Sequence, residues 1–156
     1  MSRAFDSIPH HLLLLRLSKL QLPDHELFVN WVNSYVTNRK QRVRLLDTLS
    51  SVADVTSGVP QGSVLGPFLF AIFLSSYHAF FHDSCVIKYA DDVTLVLPVY
   101  KRCREDMSQV NQEISHFECW CKENGMTINT DKSKCMNVFL SMNLYLSYLY
   151  FKLSRR

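Results

Sequence analysis

At 156 residues the chain has room for one ordinary domain. Hydrophobic residues at 47% and charged residues at 20% suit a packed core and exclude wholesale disorder, while four glycines and five prolines exclude collagen-like or linker character. The net charge of +3 is mild, lies in the last third of the chain, and permits a polyanionic partner without demanding one.

Ser7-Ile8-Pro9 reads as a helix start, with Leu13, Leu17 and Leu20 recurring behind it at helical spacing. The apolar residues 12–15 follow Asp6, Pro9 and two histidines. With no basic leading region and no small-residue cleavage site, they are not read as a targeting segment. Pro23-Asp24 restarts a second helix carrying the apolar stripe Leu27, Phe28, Trp31, Val32 and Tyr35. From Asn38 the chain reads NRKQRVR and then alternates polar with apolar residues, which predicts a hairpin of strands near 41–46 and 51–56. Lys40, Arg42 and Arg44 would share one strand face, as a solvated edge that discourages aggregation or as a ribbon facing phosphates.

The next block, SGVPQGSVLGPFLFAIFLSSY, is a glycine-rich turn feeding a helix. Such a turn approaches ligands closely because no Cβ stands in the way, and its free N–H groups suit anions. Residues 64–81 are apolar, but Pro67, two serines and His78 interrupt them, so a buried helix is expected and no membrane partner. Residues 86–97 read VIKYADDVTLVL, a tight hairpin with Asp91 and Asp92 at or beside its tip. Adjacent carboxylates between apolar runs are costly unless a cation neutralises them. Oxygen ligands of this kind point to Mg²⁺ rather than zinc. Two-metal phosphoryl transfer needs carboxylates that hold cations about 3.5–4 Å apart, and Asp6 is the nearest acidic candidate for a further ligand.

Residues 101–124 show a 3-4-3-4 apolar rhythm through Met107, Val110, Ile114, Phe117 and Cys121, with Gly125 as the stop. Residues 126–129 and 135–139 suggest two short strands around TDKSK. The closing LYLSYLYFKLSRR, apolar and aromatic with a basic end, reads as an unfinished element or a frame-shifted tail, so a domain of residues 1–140 is expected, followed by an apolar and basic tail over residues 141–156 that need not belong to it. The five cysteines form neither an even framework nor a C-x-x-C pair. Free thiols in a reducing, intracellular compartment are expected, with no disulfide partner.

Five blocks in order carry a family resemblance. Tyr89-Ala90-Asp91-Asp92 resembles the Y-x-D-D signature of reverse transcriptases, and SGVPQGSVLGPFLF resembles the block these polymerases carry between their two aspartate motifs. The opening AFDSIPHHLLL is similar to the end of their first aspartate motif. WVNSYVTNRKQRV and FECWCKENGMTINTDKSKCM resemble stretches of the non-LTR (LINE-type) retrotransposon polymerases.

The resemblance covers roughly residues 4–139 and implies an α+β partial polymerase palm, a small antiparallel sheet carrying the aspartates and backed by helices. The implied chemistry is attack of a DNA primer 3′-OH on the α-phosphate of an incoming dNTP, directed by an RNA template and assisted by Mg²⁺. By the same resemblance Asp91 is the metal-binding aspartate and Asp92 a second acidic partner. Phe5 packs under the sugar and excludes a 2′-OH, and Tyr89 belongs with it on the nucleotide side. Gln61, flanked by Pro60 and Gly62, touches the template and the incoming base pair. Lys132, in preference to Lys134, stands for the lysine that protonates the leaving pyrophosphate. In the family pattern D-x-x-x-A-F-D the first metal-binding aspartate falls immediately ahead of Met1, so the chain taken alone is expected to be catalytically incomplete. Two other readings stand beside this one. The first is a non-catalytic nucleic-acid-binding remnant using Lys40, Arg42, Arg44 and the basic last third. The second is a metal-dependent phosphohydrolase or cyclase, which the Pro60-Gln61-Gly62 block disfavours.

Overall fold

Alternation of buried and half-buried side chains along one long strand organises the molecule. The computed structural model describes residues 4–100, 107–141 and 144–154. A 3-10 turn, Ala4–Asp6, leads into α1 (His10–Leu17) and α2 (His25–Val36). A small ribbon follows, made of β1 (Lys40–Gln41), β2 (Arg44–Leu45), β3 (Thr48–Leu49) and β4 (Ala53–Asp54). Then come α3 (Leu65–Ser75), β5 (Cys85–Tyr89), β6 (Asp92–Tyr100), α4 (Ser108–Glu123), β7 (Thr127–Ile128), β8 (Lys134–Ser141) and β9 (Leu144–Ser154). The main sheet is antiparallel in the order β5-β6-β9-β7, with β8 also paired to β9. It is a mixed α+β architecture, as the sequence predicts.

β9 departs from expectation. Instead of a tail outside the domain, residues 144–154 form a strand hydrogen-bonded along both edges, to β6 on one side and to β8 and β7 on the other. Tyr145, Ser147, Leu149, Phe151 and Leu153 are buried, while the residues between them are half-buried. That period of two is what a strand with one core face requires. Opposite β9, Val93, Leu95, Leu97 and Val99 of β6 complete the core face.

Helices cover that face. Phe117 of α4 meets Phe151 with ring centroids 4.7 Å apart and Tyr77, beyond α3, at 4.8 Å. The α4 rhythm holds at Val110, Phe117 and Cys121, which are buried, and at the half-buried Ile114, whereas Met107, just ahead of the helix, is exposed. Gly125, at φ +68°, ends the helix through the Met126 N–H to Cys121 C=O bond of 2.8 Å. The part of this helix expected over residues 101–106 lies outside the described residues, as does Cys103.

Two other expectations need correction. In α2 Val32 and Val36 are buried and Phe28 and Tyr35 are half-buried against the core, whereas Leu27 and Trp31 of the expected stripe face solvent, Trp31 stacking between Phe28 and Tyr35. The hairpin near 41–56 is not two continuous strands. Ser50 Oγ accepts the Val43 N–H at 2.9 Å and interrupts the ladder, and Leu46 turns the tip at φ +53°. Lys40 and Arg44 therefore lie on separate two-residue ladders with Arg42 between them, all exposed. They do not form one strand face.

Candidate active site

The β5–β6 hairpin turns at Ala90-Asp91, with Ala90 at φ +50° and Tyr89 directly opposite Asp92. A turn this tight leaves two adjacent carboxylates no way to separate widely. Asp91 is buried, with 7% of its surface exposed, and its C=O accepts the Leu153 N–H at 2.9 Å, which fastens the hairpin tip to β9. Asp92 lies across from Lys152 in the β6–β9 register.

The cation that the sequence analysis requires is a side chain. Lys152 Nζ lies 2.9 Å from Asp91 Oδ2 and 2.8 Å from Asp92 Oδ1, and the Tyr150 hydroxyl donates to Asp92 Oδ1 at 2.7 Å. Burial pushes the Asp92 carboxyl up, but the hydrogen bonds from Lys152 and Tyr150 together with the Lys152 charge outweigh it and hold the group below its usual range. Lys152 is raised correspondingly, through its hydrogen bonds to Asp92 and Asp91. The bond to Asp92 also raises the Tyr150 hydroxyl.

A second set of contacts brings the rest of the site to this dyad. Segment 57–59 docks against the 3-10 turn and the start of α1. The Gly58 N–H donates to Ile8 C=O at 2.8 Å, the Val59 N–H to Phe5 C=O at 3.0 Å, and Ser57 Oγ to Asp6 C=O at 2.7 Å. Only glycine fits position 58, where φ is +82° and a Cβ would stand 2.5 Å from the Asp6 Cα. Arg39 Nη2 donates to Gly58 C=O at 2.6 Å. Gln61 Nε2 then donates to both oxygens of Asp6 at 2.7 and 2.9 Å. Ser63 Oγ donates to Pro60 C=O at 2.7 Å and accepts the Gly66 N–H at 3.0 Å, joining the loop to the start of α3.

The outcome is a cleft of ≈ 520 Å³ whose walls include Phe5, Pro60, Gln61, Gly62 and Asp91. Phe5 is held there by stacking on Phe70, with centroids 4.4 Å apart. Tyr89 is 80% exposed and lines a neighbouring cavity of ≈ 620 Å³ with Phe5 and Lys88. Lys132 is exposed on the 3-10 turn Thr130–Lys132. That turn is tied to β9 beside the dyad, because the Asn129 N–H donates to Lys152 C=O at 2.8 Å and the Lys152 N–H to Ser133 Oγ at 3.3 Å. Lys40, Arg42 and Arg44 are not among the residues lining either cavity. Asp6, considered as a further metal ligand, instead holds Gln61.

Sequence reasoning missed Lys152 and Tyr150. The available signal was weak: read with a period of two, LYLSYLYFKLS sets a lone lysine on the same face as Tyr148 and Tyr150. With respect to metal, two carboxylate oxygens already converge on one positive centre at under 3 Å, and an all-oxygen pair suits a hard divalent ion. Among the described residues no cluster of three or more His, Cys, Asp or Glu side chains could hold a metal ion. Among them, too, no helix is long and apolar enough to cross a membrane, and Cys85, Cys119, Cys121 and Cys135 are free thiols.

Comparison with known proteins gives a consistent result. Residues 1–151 match the family described as reverse transcriptase (RNA-dependent DNA polymerase). The chain is 32% identical over 145 residues to the RNA-directed DNA polymerase from mobile element jockey of Drosophila melanogaster, a match covering 88% of this chain and 15% of that protein. It is 30% identical over 140 residues to the probable RNA-directed DNA polymerase from transposon BS of the same fly, covering 85% of this chain and 15% of the relative. The chain thus spans about 15% of the length of the curated relatives it matches. No solved structure matches it.

Proposed function

Because this chain belongs to the reverse transcriptase (RNA-dependent DNA polymerase) family, we propose that it supplies the palm of an RNA-directed DNA polymerase of the non-LTR retrotransposon type. Its reaction is attack of a primer 3′-OH on the α-phosphate of a dNTP, directed by an RNA template. The observation that carries this reading is the cleft in which Phe5, the Pro60-Gln61-Gly62 loop and Asp91 converge from three distant parts of the chain.

Each group has a task that its chemistry suits. Asp91 and Asp92 would hold Mg²⁺, which when bound offsets the charge developing on the reacting oxygens. Phe5, fixed by Phe70, presents a flat apolar surface to the sugar, where an added 2′-hydroxyl would lose its hydration without gaining a partner. Asp6 fixes Gln61 through its amide nitrogen and leaves the Gln61 amide oxygen available to a base edge or backbone. Gly62 has nothing within 4 Å of where a Cβ would stand, so the loop offers bare backbone to a strand. Lys132 carries an ammonium able to donate a proton to a leaving phosphate, on a turn bonded to the Lys152 backbone.

Calorimetric titration of the chain with a dNTP, with and without Mg²⁺, tests the reading. Binding should require the metal and disappear in Asp91→Asn. Phe5→Ala should reduce the preference for a dNTP over the matching ribonucleotide. Nucleotide binding indifferent to both Mg²⁺ and Asp91→Asn would refute the assignment, and salt-dependent RNA binding in its place would favour the non-catalytic remnant.

A further inference from the structure

The dyad's positive partner is a lysine side chain on a backbone held by strand pairing. We infer that Lys152 is a built-in counter-cation that occupies the metal position and must leave it before a divalent ion can bind. The inference rests on the proposed metal-binding role of Asp91 and Asp92.

Three observations carry it. First, Nζ is nearly equidistant from one oxygen of each aspartate, so it bridges the pair as a metal would. Second, the Lys152 side chain is 23% exposed, so its end has a path to solvent along a flexible four-carbon stem. Its backbone stays in place meanwhile, fixed by Asn129, Ser133 and the β6 register. Third, the charges favour exchange over addition. Two carboxylates and one ammonium leave a residual charge of minus one, which attracts a cation. A divalent ion on the same two oxygens would face the ammonium at contact distance, and like charges that close repel strongly. Tyr150 is a neutral donor to Asp92 Oδ1 and can remain. Lys152 would thus keep a buried carboxylate paired in the metal-free protein and set a threshold for metal binding. The step is a simple exchange in which an ammonium moves into water and a hydrated divalent ion takes its oxygens, with no covalent bond changed.

Mn²⁺ affinity, read by electron paramagnetic resonance of the free ion, tests this in the wild-type chain, Lys152→Gln, Lys152→Arg and Lys152→Gln combined with Asp91→Asn. Removing the charge should tighten Mn²⁺ binding by about tenfold or more, equivalent to about 1.4 kcal/mol. Lys152→Arg should stay near wild type, and the combined variant should lose the gain. Equal affinities in wild type and Lys152→Gln would overturn the inference while leaving the metal role intact. Absence of Mn²⁺ binding in every variant would overturn both. Should Lys152→Gln fail to fold, the wild-type chain with ¹³Cε-labelled lysine decides the matter. Mg²⁺ should shift one lysine resonance to the position of a solvated lysine, and Mg²⁺ binding with every lysine resonance unmoved would overturn the inference.

Discussion

Replacing Gly58 by alanine probes how the nucleotide side of the cleft is held to the core. The new Cβ would stand 2.5 Å from the Asp6 Cα and 2.8 Å from its carbonyl carbon and oxygen, so the two backbones must part by about 1 Å to reach ordinary contact. Such a shift breaks or stretches the Gly58-to-Ile8 and Val59-to-Phe5 bonds, each worth about 1 kcal/mol net. The left-handed φ adds about 1–2 kcal/mol. The expected cost is about 3–4 kcal/mol, a large fraction of the roughly 5–15 kcal/mol that holds a domain folded. Gly62 supplies the control. Its φ of +75° is similar, but a Cβ there meets nothing within 4 Å, so Gly62→Ala should cost only about 1–2 kcal/mol. Urea unfolding followed by circular dichroism gives both values, and their difference isolates the clash. If Gly58→Ala were no more destabilising than Gly62→Ala, segment 57–59 would not be seated on the Phe5–Asp6 turn as described.

Other predictions concern the far side of the core. Glu113 is fully buried and accepts hydrogen bonds from Tyr77 Oη at 3.0 Å and from the Phe80 and Phe81 N–H groups at 3.0–3.3 Å. Tyr77→Phe should therefore cost about 1.5–3 kcal/mol in urea unfolding, and a loss under about 0.5 kcal/mol would show that the bond contributes nothing. Burial first, then the Glu113 charge and hydrogen bond, hold the Tyr77 hydroxyl well above its usual range. Its contribution is therefore complete below the unfolded tyrosine pKa of about 10 and is lost as pH rises beyond it. Unfolding free energies between about pH 9 and 11 should fall more steeply in wild type than in Tyr77→Phe, and equal slopes would contradict the assignment. Arg16 lies over the Phe73 ring, 4.0 Å from its centroid, and donates to Phe73 C=O and Asn124 Oδ1. Because lysine cannot reproduce a planar fork that stacks and donates twice, Arg16→Lys should lower stability by about 1–2 kcal/mol in the same assay, and an unchanged midpoint would refute the role.

Elements and residues whose cause is local were legible in the sequence. The dyad hairpin could be read because two β-rich runs flank a turn-forming pair, and α4 because its apolar residues recur without interruption. The gathering of Phe5, Gln61 and Asp91 was reachable only through the family blocks, since no periodicity predicts that segment 57–59 docks on the first turn. Lys152 escaped for a physical reason. β9 is flanked by strands on both edges, so its second face is half-buried and carries Leu and Tyr in place of the polar residues that usually mark a solvent face. Its polar partnership is also distant, with Tyr150 and Asp92 separated by 58 positions. The ribbon was misjudged because Ser50 and the left-handed Leu46, neither marked by glycine or proline, cut its ladder.

The place of β9 also bears on how the chain is assembled. The strands β7 and β8, and the edge of β6 that faces away from β5, reach their hydrogen-bonding partner only in a segment synthesised after every one of them. While that segment is still inside the ribosome, their edges are exposed and open to pairing with other chains. The same late arrival brings Lys152 to the aspartates, so a nascent polypeptide has a bare pair of acids until the sheet closes over them.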